Sequence, residues 1–296
     1  MKPSGATTPY WKSGTIFKLH VKYIPVIAII ALSCFLTSCT SVHNRIREAQ
    51  KIADKSALKE DIVQGNIFRF VTFQRISNPA KSLHVYIEGD GKAYVTRTIV
   101  SKNPTPHNPI ALKLAAQDKD SNVLYIARPY QYNQSTAEIQ NESRYWTSHR
   151  YAEEVVAEIS GAIDKIKEEN HLKDIVLIGY SGGGTLAALL TTRRKDVIIL
   201  VTVCGNLDID YHAELHKITP LEGSLNPADF GEKLKTIKQI HFVGGKDANV
   251  PRSVAERYCE KIDASAKNCE IVEIKDNTHH SGWEKDWSEI LNNYLD

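Results

Sequence analysis

The stretch DIVLIGYSGGGTLAALL, residues 174–190, constrains the chain most. An apolar run ends at Gly179-Tyr180-Ser181-Gly182-Gly183-Gly184, and a helix-forming run of small and apolar residues follows. A short run without polar alternation predicts a strand buried on both faces. A flexible linker would have no such strand in front of it. A phosphate-binding loop would carry Lys after the last Gly, where this chain has Thr185. The spacing fits G-x-S-x-G, which sets a serine on a tight strand-to-helix turn. Gly179 and Gly183 remove side chains that would crowd that turn. The helix start then offers unpaired N–H groups to a developing oxyanion. Ser181 is therefore the candidate nucleophile.

Around this turn, strand-like and helix-like segments alternate. IFRFVTFQ, SLHVYIEG, NVLYIARP, DIVLIGY, DVIILVTVC, QIHFVGG and CEIVEIK predict strands. PIALKLAAQ, SHRYAEEVVAEISGAIDKIKEEN, GTLAALLTTRR, SVAERYCEKI and WSEILNNYL predict helices, the second with Ser148 as a cap. The alternation predicts an α/β fold, a mostly parallel central sheet with helices on both faces. In such sheets the working residues collect beyond the carboxyl ends of the strands. The segment from Asn206 to Lys235, where a cap would be inserted, is short and predicts no large cap domain. A chain of 296 residues suits one full-sized domain, expected over 66–296.

The N-terminus has a different character. Lys18 and Lys22 precede the apolar run YIPVIAIIALSCFL, too short to span a bilayer as a helix. Leu36-Thr37-Ser38-Cys39 resembles a bacterial lipoprotein box, which implies a signal peptide over 1–38 and lipidation of Cys39. Residues 39–65 are then expected to form a tether and a first helix. Thr40 after the Cys implies, by resemblance to Gram-negative lipoproteins, the outer membrane facing the periplasm. Removing the leader takes the formal charge from +2 to −2, because its four lysines face no acid. Neither value points to nucleic acid as a partner. Cys259, late in a predicted helix, and Cys269, opening a predicted strand, are spaced to close a disulfide in an oxidising compartment. Cys204 is expected as a buried thiol.

A nucleophilic serine needs a base, and the base an orienting acid. The segments HVYIEGDGKAY, NPIALKLAAQD, YIARPYQY, YWTSHRYAEEVV, IGYSGGGTLAALL, VCGNLDIDYH, SLNPADF, HFVGGKDANVP and HHSGW carry a resemblance to the α/β-hydrolase superfamily. More narrowly, they resemble a group of bacterial lipoprotein hydrolases. They cover most of the chain from about residue 83 to 284. The resemblance implies the order Ser, acid, His along the chain. It implies Asp247 as the acid, with Asp208 as the alternative. It implies His280 as the base, by likeness to endings of the H-x-G-W type, with His279 as the alternative. The oxyanion donors implied are the N–H groups of Gly182 and of Asp90, with Gly91 next. Asp90 lies beside Glu88-Gly89, where relatives carry His-Gly. Its carboxylate must then point away or pair with a cation such as Arg128. Tyr130, Tyr132 and Trp146 are candidates to line a pocket. Metal is not expected at the adjacent histidines, whose side chains diverge, and no cofactor is implied. The resemblance implies acyl transfer to water through an acyl-serine. The substrate expected is a small-molecule or lipid ester, and membrane contact runs through the lipid anchor. A serine peptidase or amidase, a transacylase, or an idle envelope-binding protein could be built from the same parts.

Overall fold

The computed structural model describes residues 42–133, 142–262 and 267–295. Residues 44–296 form one compact unit. The expected signal peptide and Cys39 lie outside the described residues. Among the described residues no helix is long and apolar enough to cross a membrane.

Eight strands form one sheet: β1 (Lys59–Gln64), β2 (Arg69–Ile76), β3 (Leu83–Ile87), β4 (Asn122–Ile126), β5 (Ile175–Tyr180), β6 (Val197–Val203), β7 (Lys238–Gly244) and β8 (Cys269–Ile274). Their spatial order is β1-β2-β4-β3-β5-β6-β7-β8. β1 with β2 and β2 with β4 pair antiparallel, and every pair from β4 through β8 is parallel. The chain steps from β3 outward to β4, then returns to the other side of β3 for β5. The loops leaving β3 and β5 therefore meet at a topological switch point, where open α/β sheets form their sites. The register places Ile87 beside Gly179 there.

The described helices of eight residues or more are α1 (42–55), α2 (Ile110–Gln117), α3 (Glu153–Glu169), α4 (Gly182–Thr191), α5 (Ile209–His216), α6 (Arg252–Ile262) and α7 (Trp287–Leu295). β3, β4 and β5 are buried along their whole length, as continuous apolar strands covered on both faces should be. All ten residues of α4 are buried too. α3 is amphipathic, burying Val155, Val156, Ile159, Ala162, Ile163 and Ile166 at helical spacing. Glu153 and Glu154 open it, on the favourable side of the helix dipole.

Three expectations need correction. The first helix expected within 39–65 is α1, but it ends at 55, and Lys59–Gln64 is the edge strand β1 rather than part of a tether. Its sequence KEDIVQ is polar because five of its six residues are exposed. Ser148 does not cap α3, which starts at Glu153 after Ala152; its hydroxyl bonds His149 Nδ1 instead. β6 is not covered throughout, since Ile198 near its start is exposed.

Cys259 on α6 and Cys269 on β8 are joined by a disulfide, and Cys204 is a free buried thiol. The disulfide closes a separation of 10 residues. Loop-closure entropy for a ring of that size is about 2–3 kcal/mol. Replacing both cysteines by serine should lower the unfolding free energy by about that amount in urea titrations under oxidising conditions. Equal midpoints for the two proteins would show that the cross-link contributes nothing.

Candidate active site

The site begins at the end of β5. Ser181 holds φ 51° and ψ −120°, a left-handed backbone that costs a non-glycine residue on the order of 1–3 kcal/mol. Close packing enforces it. A Cβ on Gly179 would strike the Gly183 carbonyl, and one on Gly183 would strike the Ile87 carbonyl of β3. The turn exposes Ser181 Oγ above the sheet and leaves Gly182 as the first residue of α4. Helix geometry gives an N–H at that position no intrahelical acceptor.

Two further loops complete the arrangement. Beyond β7, Asp247 accepts the N–H groups of Asn249 at 2.8 Å and Val250 at 2.9 Å on Oδ1. Its Oδ2 lies 2.7 Å from His279 Nδ1. Beyond β8, His279 Nε2 lies 3.0 Å from Ser181 Oγ. The loop carrying His279 is clipped by Trp283 Nε1, which donates to the Thr278 carbonyl at 2.8 Å. These bonds assign the tautomer: Nδ1–H donates to Asp247, and Nε2 accepts from Ser181. Burial alone would raise the Asp247 carboxyl. The His279 hydrogen bond and charge, the Val250 N–H and the Cys204 thiol outweigh it and hold the group below its ordinary value. Cys204 Sγ stands with the ligating atoms of Asp247 and His279 in a cluster no wider than 4.8 Å.

The choice between the two histidines is thereby corrected. His279 bridges Ser181 and Asp247, and His280 does not. His280 faces away, with Nδ1 3.0 Å from the Tyr180 hydroxyl and Nε2 3.3 Å from Asn249 Nδ2. The Tyr180 hydroxyl donates to the His279 carbonyl at 2.9 Å, so it accepts from His280 Nδ1–H. His280 thus braces the loop that carries its neighbour. Asp208 is also removed from the site. It caps α5 through the Tyr211 N–H, and its carboxylate pairs with Lys261 at 2.8 Å and Arg257 at 3.5 Å.

The loop after β3 brings Asp90 against Gly182. A Cβ on Gly182 would collide with Asp90 Oδ1, and would lie 2.5 Å from the Tyr151 hydroxyl and 2.9 Å from Arg128 Nη1. The Asp90 carboxylate pairs with Arg128, as its position required, and also with Arg150. Tyr151 donates to it at 3.0 Å. Burial would raise this carboxyl; the two guanidinium charges overcome it and drive the group well below the carboxylate range. Arg150 and Tyr151 carried no local signal, because they meet Asp90 from 60 and 61 residues away. Tyr130 stacks on Tyr145 and meets Trp146 and Phe68 edge to face, while Tyr132 is buried against Phe73 and Tyr125.

The chain was compared with known proteins on this basis. No protein-family model matches the sequence, and no curated protein matches it. Solved structures do. Est1E from Butyrivibrio proteoclasticus is 14% identical with a TM-score of 0.53, over 80% of this chain and 97% of that one. A membrane phospholipase A described as a bacterial virulence factor is 13% identical with a TM-score of 0.52, over 94% and 97%. Acylaminoacyl peptidase from Pyrococcus horikoshii is 10% identical with a TM-score of 0.58, over 80% of this chain and 40% of that one. The chain has the α/β-hydrolase fold. Within that fold, Glu88 occupies the end of β3, and it is buried. Its Oε1 accepts the Gly89 N–H at 2.9 Å and the Ala111 N–H at 3.4 Å, and its Oε2 accepts the Tyr125 hydroxyl at 3.2 Å. It ties the Asp90 loop to the start of α2.

Burial pushes the Glu88 carboxyl from 4.5 up to about 7 against those donors and the Leu112 N–H. The unfolded chain ionises this group first. Its contribution to stability is thus fully present below about pH 4.5, declines as pH rises, and levels off above about pH 7. The decline amounts to about 3 kcal/mol at most. Glu88→Gln should remove that slope. Urea unfolding of both proteins at pH 4.5 and pH 7.5 measures it, and parallel pH dependences would show that Glu88 is ionised throughout.

Proposed function

We propose that the protein is a serine hydrolase that cleaves carboxylic esters through an acyl–Ser181 intermediate. The observation that carries this reading is the continuous hydrogen-bonded line from Ser181 Oγ through His279 to Asp247. His279 Nε2 takes the Ser181 proton as Oγ attacks the carbonyl carbon. The imidazolium formed is stabilised by Asp247, which stays ionised. The negative oxygen of the tetrahedral intermediate is met by the N–H groups of Gly182 and Asp90. His279 then protonates the leaving alcohol, and the acyl group stays on Ser181. In the second half, water loses its proton to His279 and attacks the acyl carbon, releasing the acid and restoring the serine.

Arg128 and Arg150 keep the Asp90 carboxylate from opposing the oxyanion. Two guanidinium groups against one carboxylate leave a net positive charge beside the place where negative charge develops. The solved structures of this fold include a phospholipase A and an acylaminoacyl peptidase, so ester and amide cleavage both lie within its chemistry, and the ester is the reading adopted. Small-molecule and lipid esters both suit this chemistry. The Leu36–Cys39 box supports a lipid anchor at Cys39 and a periplasmic setting at the outer membrane. The Cys259–Cys269 bond belongs to oxidising compartments and supports the same setting.

A fluorophosphonate probe should label the full-length protein, and labelling should vanish in Ser181→Ala. Hydrolysis of p-nitrophenyl acyl esters should fall roughly 10⁴-fold or more in Ser181→Ala and His279→Ala. His280→Ala should stay within about tenfold of the parent, since it loses a brace and keeps the proton carrier. A folded protein that neither labels nor turns over esters would refute the reading. A collapse confined to His280→Ala would return the base to His280.

A further inference from the structure

α5 carries the sequence IDYHAELH and ends directly after His216, where Lys217 turns left-handed at φ 51°. His212 and His216 are four residues apart and so project from one face of the helix. Their rings stand 4.6 Å apart between centroids. Both Nε2 atoms aim at one acceptor, the backbone carbonyl of Asn249, at 2.9 Å for His212 and 2.8 Å for His216. Both rings are only partly buried. Neither touches Ser181, His279 or Asp247 through a hydrogen bond, so the hydrolase mechanism leaves the pair unused.

The geometry points to a binding site for a divalent transition-metal ion, of the Zn²⁺ class, formed by His212 Nε2, His216 Nε2 and the Asn249 carbonyl oxygen. Two imidazoles one helical turn apart are a recurrent chelating pair for such ions. Zn²⁺ bonds of about 2.0–2.1 Å at the tetrahedral angle hold their ligand atoms about 3.4 Å apart. The two nitrogen–oxygen separations here are 2.9 and 2.8 Å, so an outward shift of about half an ångström separates the hydrogen-bonded state from the metal-bound one. The donor set of two nitrogens and one oxygen suits Zn²⁺, Ni²⁺ or Cu²⁺. It does not suit Ca²⁺ or Mg²⁺, which require mainly oxygen. Binding moves the ring proton of each neutral histidine from Nε2 to Nδ1 and releases none. Water completes the coordination.

The location gives the ion a neighbour of consequence. Asn249 offers its carbonyl to both histidines, its N–H to Asp247 Oδ1 and its Nδ2 to His280. One residue therefore joins the metal site to the acid of the triad. The inference does not depend on the hydrolase reading, and its test reads binding alone.

Full-length protein stripped with EDTA would be titrated with Co²⁺, followed by its visible absorption, and with Zn²⁺ by calorimetry. The expected result is one ion per chain. His212→Ala and His216→Ala should each weaken binding about tenfold or more. His216→Gln should weaken it equally, because it keeps a donor for the Asn249 carbonyl but not the imidazole. Circular dichroism would confirm that each variant is folded. His279→Ala should bind as the parent does. Absence of binding overturns the proposal, as does an affinity that survives substitution at 212 and 216. Loss confined to His279→Ala overturns it too, placing the ion at Cys204, Asp247 and His279 instead.

Discussion

The structure depends on how closely the chain passes itself where β5 turns into α4. Gly183 lies against the Ile87 carbonyl, and Gly179 lies against Gly183. That contact locks the elbow to the neighbouring central strand. It holds Ser181 at a backbone angle the residue would not choose, and it sets the start of a fully buried helix over the sheet. Because β3 is the strand touched, the same contact places the loop after β3 beside the serine. Sheet order and local sterics therefore meet in a few atoms.

Charge is managed around that point by pairing. Asp90 is bound by Arg128, Arg150 and Tyr151, and Asp247 by two N–H groups and His279. Each carboxylate would be driven toward protonation by burial, and each is kept ionised by its donors. Glu88 shows the opposite balance, with neutral donors only, and burial wins. Three carboxyls beyond the carboxyl ends of β3 and β7 thus reach different protonation behaviour through their partners alone.

The legible parts were those written in local physics. Apolar runs located every parallel strand, and the glycines around Ser181 fixed the turn to within a residue. Asp247 was readable because it follows a strand and a Gly-Gly turn. β1 escaped, because an exposed edge strand carries no apolar alternation to distinguish KEDIVQ from a polar helix. Asp208 looked like an acid at a strand end and is a helix cap held by Lys261 from the next layer. Between His279 and His280 nothing local decides. Which of two adjacent side chains faces the serine is set by Tyr180, Asn249 and Trp283 holding the loop, and these contacts span up to 100 residues.

The disulfide lies on one side of the site only. Ser181 is held by close-packed backbone where β5 turns into α4. Asp247 and His279 follow β7 and β8, and β8 begins at Cys269, bonded to the helix that follows the Asp247 loop. The cross-link fastens the helix after the Asp247 loop to the strand that leads to His279, so Asp247 and His279, which bond each other, flank one covalently closed loop.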